Sequence, residues 1–238
     1  MSEELKTVLL GGTATQISGE PDDPYFQNLQ DGADSLRNLA ALVDQHVPRD
    51  AVVLDVGANI GLSAILLSRR VATVIAYEPS PVNLRYLHQN LVRNRITNVT
   101  VIAAAVSAEP GELRFHEGQF RAGSHIVTTG HIALERMSTI SVPAIPLDSQ
   151  ILPTIAFIKL DVEGHEPDVL AGARALLARD RPLIYCEVNI WCLCAFAGHS
   201  PGAFVRTLWS AFETWEVGKD RGGSACLDRF LFGISGSA

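Results

Sequence analysis

The chain has 238 residues, of which 47% are hydrophobic and 19% are charged, and its formal net charge is −7. A chain of this length can bury one large hydrophobic core. We therefore expect one main domain, residues 31–238, preceded by an N-terminal hairpin or cap at residues 1–30. The acidic balance argues against a broad phosphate-binding face, and so against a nucleic-acid partner.

The sequence also suggests a cellular compartment. Its first four residues are acidic where a secretory signal would be basic, and no apolar run approaches the length of a membrane span. Cys192 and Cys194 are separated by one residue, which is not the spacing of a zinc-binding pair. We expect reduced thiols in a soluble, cytoplasmic protein that has no membrane partner.

The first predicted elements precede the core of the fold. Residues 7–17 are predicted to form a hairpin around Gly11 and Gly12. Apolar residues then recur at helical spacing up to position 47, behind Asp34 or Ser35 as N-cap, and Pro48 ends this helix.

A glycine-rich turn follows the next apolar run. Residues 52–56 are predicted to form a strand that leads into Asp55-x-Gly57-x-x-x-Gly61 and then directly into a helical pattern. Glycines allow a tight turn and close approach of a ligand, while the start of a helix offers unpaired N–H groups. Asp55 would repel a pyrophosphate but suits a cationic amino group. Five residues are candidates for cofactor binding at this turn: Asp55, Gly57, Ala58, Asn59 and Gly61.

A second acid defines the type of cofactor. Residues 71–77 are predicted to form the second strand, which ends at Glu78, 78 − 55 = 23 residues after Asp55. A carboxylate at this place commonly binds both ribose hydroxyls. Pro79 follows it, and Ala104 ends the third strand where small side chains would leave room for an adenine ring. A nucleoside with an amino-acid tail fits both acids, and S-adenosylmethionine is such a molecule.

The rest of the chain continues the alternation of strands and helices. Residues 111–145 show little helical periodicity and are predicted to be an irregular insertion at the rim of the site. The other predicted elements are a helix opened by Ser80 and Pro81, strands at 98–105, 155–160 and 182–188, helices at 166–178 and 201–212, and a hairpin at 214–218 and 226–234.

Three blocks of sequence carry a family resemblance. Residues 54–61, 77–83 and 158–166, the last reading Ile-Lys-Leu-Asp-Val-Glu-Gly-His-Glu, resemble the FkbM-type S-adenosylmethionine-dependent methyltransferases in content and in order. The resemblance extends over about residues 31–189. It implies an α/β, Rossmann-like class I methyltransferase fold, with a seven-stranded, mostly parallel sheet that ends in a C-terminal antiparallel hairpin. It also implies O-methylation of a hydroxyl on a small molecule, a sugar or a natural product.

Candidate catalytic residues cluster after the fourth parallel strand. Methyl transfer to oxygen needs a group that removes the hydroxyl proton. His165 is the first choice, since the ordinary pKa of histidine lies near neutrality, and Glu163 is the second. Asp161 is either catalytic or an anchor for the amino end of the cofactor. Lys159 lies on the same strand face as Asp161, so it is either a catalytic group or half of a buried ion pair.

A metal ion is an open alternative at the same rim. Glu187 and Asn189 end the fifth strand and, together with Asp161, offer oxygen ligands suited to magnesium. Three loosely spaced oxygens do not make a specific motif, so we predict no metal. Four aromatic residues are candidates to cover the adenine or the substrate: Tyr25, Phe26, Trp191 and Phe196.

Two other functions compete with the methyltransferase. An NAD(P)-dependent oxidoreductase is the first, although Asn59 stands where a dinucleotide fingerprint has its middle glycine. A non-catalytic S-adenosylmethionine-binding protein is the second. The expected partner is a small-molecule hydroxyl acceptor, and the sequence leaves the oligomeric state open, a homo-oligomer included.

Overall fold

The computed structural model describes residues 4–29, 34–117, 125–127, 139–211, 213–219 and 227–233. At the N-terminus, β1 (Glu4–Leu10) and β2 (Thr13–Gly19) form an antiparallel hairpin, followed by the short helix α1 (Pro24–Asn28). Strand β3 (Asp34–Ser35) pairs with β1 in parallel, and α2 (Arg37–His46) follows. The hairpin predicted around Gly11 and Gly12 is thus present.

The first half of the central sheet alternates strands with helices. It contains β4 (Val52–Val56), α3 (Leu62–Ser68), β5 (Thr73–Tyr77), α4 (Pro81–Arg93) and β6 (Val99–Ile102). As predicted, Pro81 opens α4, and the Ser80 side chain accepts a hydrogen bond from the Asn83 N–H. This cap satisfies one of the unpaired donors at the start of the helix.

The segment predicted as an insertion forms a small sheet of its own. Its strands are β7 (Ala105–Val106), β8 (Gly111–His116), β9 (His125–Ile126) and β10 (Thr139–Ile145), in the order β7-β10-β8-β9. Residues 118–124 and 128–138 of the predicted insertion lie outside the described residues. A one-turn 3-10 helix, Leu147–Ser149, leads back to the central sheet.

The second half adds two parallel strands and four helices. It contains β11 (Ile155–Leu160), α5 (Glu166–Ala171), α6 (Arg174–Asp180), β12 (Leu183–Asn189), α7 (Ile190–Ala195) and α8 (Pro201–Ala211). Strands β13 (Glu213–Lys219) and β14 (Leu227–Gly233) pair antiparallel, and β14 pairs antiparallel with β12. None of the helices in the described ranges combines the length and apolar character needed to cross a bilayer.

The order of the parallel strands positions the site. The five strands run β6-β5-β4-β11-β12, so the chain moves outward from β4 to β6 and then returns to the other side of β4. In open α/β sheets, ligands bind at the carboxyl ends of the strands next to such a reversal. The parallel α/β sheet predicted from the sequence is confirmed, and its reversal lies between β4 and β11.

Two hydrophobic cores cover the two faces of this sheet. Val53 and Phe157 face the core shared with the N-terminal hairpin and α2 to α4, whereas Leu54 and Ile158 face the core under α5, α6 and α8. All four side chains are buried. Successive residues on one strand enter opposite cores because side chains alternate across a sheet.

Several predicted boundaries are wrong. Helix α2 begins at Arg37 behind Leu36, whose φ is 61°, and not behind a capping Asp34 or Ser35. The helix predicted at 166–178 is two helices, and Gly172, between them, packs so closely on the Ser107 carbonyl that a side chain would overlap it. The strand predicted at 98–105 ends at Ile102, and Ala105 joins the small sheet. The short helices α1 and α7 were not predicted.

Candidate active site

A cavity of about 300 Å³ opens at the carboxyl ends of β4, β5, β11 and β12. A volume of this size is at the lower end of the range for small-molecule sites. Most of the predicted site residues line it: Gly57, Ala58, Asn59, Glu78, Pro79, Ala104, Lys159, Asp161, Glu163, His165, Glu187 and Asn189. Asp55 and Gly61 are not among its lining residues.

The turn after β4 forms one wall of the cavity. Gly57, Asn59 and Gly61 have φ angles of 83°, 50° and 100°, a left-handed conformation that glycine adopts without strain and asparagine tolerates. A side chain at position 57 would overlap the carbonyl oxygen of Asp161. The turn after β4 therefore lies directly against the loop after β11.

Glu78 holds the second wall together. Its Oε1 accepts hydrogen bonds from the Ser80 N–H at 2.9 Å and the Asn83 amide at 3.2 Å, and its Oε2 accepts the Asn59 N–H at 2.8 Å. Burial raises the pKa of Glu78, and these hydrogen bonds oppose the rise. A carboxylate has about four lone-pair sites, so three are taken and one, on Oε2, remains. This site can accept one ribose hydroxyl, so the predicted binding of both hydroxyls requires one of the three present donors to be displaced.

Lys159 is the centre of a buried ion cluster. Its Nζ lies 3.6 Å from Asp55 Oδ1 and 3.4 Å from Asp161 Oδ2, and it donates to the Gly57 carbonyl at 2.7 Å. Asp55 is fully buried and also accepts the Ser63 hydroxyl at 2.7 Å. Burial lowers the pKa of Lys159, but the facing carboxylates of Asp161 and Asp55 outweigh burial and raise it. The buried ion pair predicted for Lys159 is present.

The loop after β11 presents Glu163 to the cavity in an unusual conformation. Glu163 and Gly164 have φ angles of 55° and 101°, and a side chain at 164 would come within 2.6 Å of the Cys192 backbone. The Cys192 thiol donates to Glu163 Oε2 at 3.0 Å. Burial and the Asp161 carboxylate raise the pKa of Glu163 to about 8. A positive φ at a non-glycine residue stores strain, which often marks a functional site.

Glu166 supports this loop from below. It is fully buried, and its Oε1 accepts the N–H groups of Val162 at 3.1 Å and Gly164 at 3.2 Å. Burial raises its pKa to about 7 although these backbone hydrogen bonds oppose the rise. The sequence placed Glu166 at the start of a helix and among the acids clustered after the fourth strand. Its hydrogen bonds to the loop backbone left no periodic signal and were not predicted.

His165 belongs to a separate buried network. Its Nε2 lies 3.0 Å from Ser107 Oγ and its Nδ1 lies 3.2 Å from Asp168 Oδ2, and Asp168 also meets His199 Nε2 at 2.8 Å. Burial lowers the pKa of His165, Asp168 opposes this effect and His199 adds to it. Ser107 contacts His165 and His165 contacts Asp168, as in the Ser-His-Asp triad of a hydrolase. Ser107 is not a lining residue of the cavity, so its hydroxyl has no room to attack a substrate there.

The possible metal ligands at the rim differ from the three residues that the sequence suggested. One carboxylate oxygen from each of Asp161, Glu163 and Glu187 lies within 4.8 Å of the others. The predicted third ligand, Asn189, instead caps α7, because its Oδ1 accepts the Cys192 N–H at 3.1 Å. The Lys159 ammonium supplies a positive charge beside this group.

The predicted aromatic cover is only partly at the cavity. Tyr25 lines it, whereas Phe26 is buried in the core under the N-terminal hairpin. Trp191 is 55% exposed and meets the edge of Phe196, which stacks on His125. The apolar lining of the cavity includes Tyr25, Leu36, Phe115 and Ile126. Phe115 and Ile126 come from the small sheet, which long-range pairing brings to the site.

Sequence comparison identifies the family. Residues 55–191, more than half of the chain, match the family described as the methyltransferase FkbM domain. The chain belongs to this family. Membership agrees with the resemblance found in the three sequence blocks, and it makes the chain a methyltransferase with S-adenosylmethionine as its cofactor. The alternative of an NAD(P)-dependent oxidoreductase is therefore wrong.

Individual relatives extend this result. The chain is 32% identical over 185 residues to the hexuronic acid methyltransferase AglP of Haloferax volcanii, covering 77% of this chain and 72% of that protein. It is 26% identical over 207 residues to the 2-O-methyltransferase NoeI of Sinorhizobium fredii, covering 79% and 83%.

A solved structure shares the fold. The FkbM methyltransferase crystal structure from Methylobacillus flagellatus superposes with a TM-score of 0.53 at 18% identity. The superposition covers 77% of this chain but only 44% of that one, so this chain spans less than half of that protein.

Proposed function

We propose that this FkbM-family methyltransferase transfers a methyl group to a hydroxyl of a sugar or sugar-like small molecule. Two relatives with significant identity are named for a hexuronic acid and for a 2-O-methyl product. The observation that carries the proposal is that Glu78, Asp161 and Glu163 line the same cavity. A cofactor site and a candidate proton acceptor therefore share one space.

The residues present fit S-adenosylmethionine. Glu78 Oε2 keeps a lone pair for a ribose hydroxyl, and the Asp161 side chain, 35% exposed, is available to an ammonium group. Ala104 and Pro79 lie at the cavity wall as expected beside an adenine ring. When bound, the cofactor supplies an electrophilic methyl group on a sulfonium.

We assign the base to Glu163 and not to the first choice from the sequence, His165. Glu163 lines the cavity, and its pKa of about 8 lies close to working pH, where a general base is most effective. His165 also lines the cavity, but its Nε2 lies 3.0 Å from Ser107 Oγ, its Nδ1 lies 3.2 Å from Asp168 Oδ2, and burial lowers its pKa. Lys159 carries a proton that its two carboxylate neighbours hold, so we do not assign it a role in proton removal.

Label transfer tests the proposed acceptor. The purified chain is incubated with methyl-labelled S-adenosylmethionine and simple glycosides of hexoses, hexuronic acids and amino sugars. We expect label that survives mild alkali, since a methyl ether is stable and a methyl ester is not. Alkali-labile label would show transfer to a carboxyl group, and binding of cofactor without transfer to any glycoside would contradict a sugar acceptor.

Replacing the base tests the assignment of Glu163. Glu163→Gln keeps the size of the side chain but cannot accept a proton, so turnover should fall by about 10²–10⁴. Affinity for S-adenosylhomocysteine should remain, because Glu163 is not in the proposed cofactor contacts. In the unaltered enzyme, turnover should rise as pH increases through about 8, where Glu163 ionises. Full turnover in Glu163→Gln would refute the assignment.

Three broader expectations join the proposal. The order β13-β14-β12 supports a seven-stranded sheet of the class I methyltransferase type, with the hairpin at its edge. Free thiols at Cys186, Cys192 and Cys194 support a reducing, cytoplasmic compartment. The net charge of −7 supports an acceptor other than nucleic acid. Size-exclusion chromatography with light scattering tests whether the chain forms a homo-oligomer.

A further inference from the structure

The Lys159 ammonium sits where three acceptors from two loops converge. Its contacts are the Gly57 carbonyl, Asp161 Oδ2 and Asp55 Oδ1, at 2.7, 3.4 and 3.6 Å. The contact with the Gly57 carbonyl is a hydrogen bond, whereas the two carboxylates attract the ammonium at longer ion-pair distances. The Lys159 side chain is 8% exposed. It is thus held in a buried position between the two loops.

The three acceptors differ in their access to the cavity. Gly57 and Asp161 line it, whereas the Asp55 side chain is wholly buried and is absent from the lining. The sequence suggested direct contact between Asp55 and the cofactor's amino group, but Lys159 lies between Asp55 and Asp161. The cluster of two carboxylates and one ammonium carries a net charge of −1, and only the Asp161 carboxylate presents that charge to the cavity.

We propose that Lys159 is a positioning residue for the cofactor. Its ammonium neutralises Asp55 and holds Asp161 and the Gly57 carbonyl in place for the cofactor's ammonium group. This inference rests on the cofactor site described above. When the ammonium binds, the cluster becomes electrically neutral. Without Lys159, two carboxylates would share a buried site with no cation between them, and one of them would take up a proton.

Other groups around Lys159 agree with this role. Glu187 and Tyr25 face Lys159 in addition to Asp161 and Asp55, and each of these four groups favours the charged form of Lys159. Burial raises the pKa of Asp55, and the Lys159 charge and the Ser63 hydroxyl oppose the rise. The Lys159 charge therefore favours the ionised form of Asp55 in a place that water does not reach.

Two ligands separate this role from a general structural one. S-adenosylhomocysteine carries the amino-acid tail, whereas adenosine has the same nucleoside without it. In Lys159→Met, titration calorimetry should show S-adenosylhomocysteine affinity about tenfold or more weaker, which is the expected effect of losing a buried ion contact. Adenosine affinity should stay within about twofold, and Lys159→Arg should recover part of the lost affinity.

A double variant tests the charge argument and guards against failure to fold. Lys159→Met with Asp55→Asn removes both members of the buried pair and restores a net charge of −1 at Asp161. It should bind S-adenosylhomocysteine more tightly than Lys159→Met alone, and it should fold even if the single variant does not.

Several results would overturn the inference. Equal weakening of both ligands in Lys159→Met would make Lys159 a support of the whole cavity, and unchanged affinity for both would leave it without a role in binding. The charge argument would be contradicted if the double variant folds but binds S-adenosylhomocysteine no better than Lys159→Met does. If Lys159→Met does not fold, a folded double variant that does not bind S-adenosylhomocysteine would contradict it. If the unaltered chain bound adenosine but not S-adenosylhomocysteine, the proposed cofactor site itself would be wrong.

Discussion

At the residue scale, Glu78 is the side chain on which cofactor binding most depends. It connects Asn59, Ser80 and Asn83 through three hydrogen bonds, and it keeps one acceptor site for the ribose. Glu78→Ala should therefore weaken both S-adenosylhomocysteine and adenosine by at least about tenfold, since a charge-assisted hydrogen bond and its supports are lost. Calorimetry measures both affinities, with the exposed Glu109→Ala as a control. Retained adenosine affinity would argue against a ribose contact.

His165 should behave differently from Glu163. Its ring connects Ser107 to Asp168 in a buried position. His165→Ala leaves Ser107 and Asp168 without that partner and should lower the free energy of unfolding by about 1–3 kcal/mol, the usual cost of such a loss. Chemical denaturation measures the change, and turnover per folded molecule should fall far less than in Glu163→Gln. A turnover loss that matches Glu163→Gln with unchanged stability would return the base to His165.

The sequence predicted where the polar residues of the site lie more successfully than which groups they contact. Asp55 and Glu78 could be placed because glycine spacing and strand ends determine where they lie. The sequence did not predict that Lys159 lies between Asp55 and Asp161, or that Asn189 caps α7. Both arrangements depend on which side chains are close together in the folded protein. Small differences in distance decide which side chains pair, and the spacing of residues along the chain does not give those distances.

At the element scale, the loop between β11 and α5 should make stability depend on pH. Glu166 has a folded pKa of about 7 against an ordinary value of 4.5. Below pH 4.5 it is protonated in both the folded and unfolded states. As pH rises to about 7, the unfolded state ionises first, so the folded state loses stability. The loss is about 3 kcal/mol, since one pKa unit is worth about 1.4 kcal/mol.

Glu166→Gln tests this dependence. Glutamine still offers an oxygen to the Val162 and Gly164 N–H groups but does not ionise. Urea denaturation from pH 4.5 to 8 should therefore show a smaller loss of stability in this variant than in the unaltered chain. Glu109→Gln, at an exposed position, should not change the slope. Parallel slopes for all three proteins would mean that Glu166 is ionised throughout.

Element boundaries failed where tertiary contact overrides periodicity. The apolar spacing after Glu166 predicts one helix through Gly172, yet the structure has two helices, and the Ser107 carbonyl packs against Gly172 between them. The same spacing correctly located α4, since Ser80 and Pro81 provide a local start that needs no distant partner. The local start signal of α4 was therefore reliable, whereas the start signal predicted for α2 at Asp34 or Ser35 was not.

At the scale of the whole molecule, Asn90 joins the N-terminal hairpin to the cofactor site. Fully buried, it accepts the Ser18 N–H at 2.7 Å and donates to the carbonyls of Ser18 at 3.0 Å and Ile60 at 2.9 Å. Asn90→Ala should lower the free energy of unfolding by about 3 kcal/mol, because buried backbone groups lose their partners. It should also weaken S-adenosylhomocysteine binding, since Ile60 belongs to the turn after β4.

Asn94 provides the matched control. It is the C-cap of α4 and bonds to Gln16 of the hairpin and to the Asn90 carbonyl, but none of its hydrogen bonds among the described residues reaches that turn. Asn94→Ala should weaken the hairpin contact without changing affinity for S-adenosylhomocysteine. Equal losses of affinity in both variants, measured by calorimetry at a temperature where both are folded, would show that the hairpin acts on the site by another route.

The contact between Gly57 and the Asp161 carbonyl limits how such an enzyme can diversify. Because the donor-binding turn and the acceptor-facing loop touch backbone to backbone, neither can drift without displacing the other. New acceptor preferences must therefore arise elsewhere on the cavity wall, at side chains that contact neither loop's main chain. Phe115 and Ile126, supplied by the small sheet, are the positions where an engineer seeking altered specificity should begin.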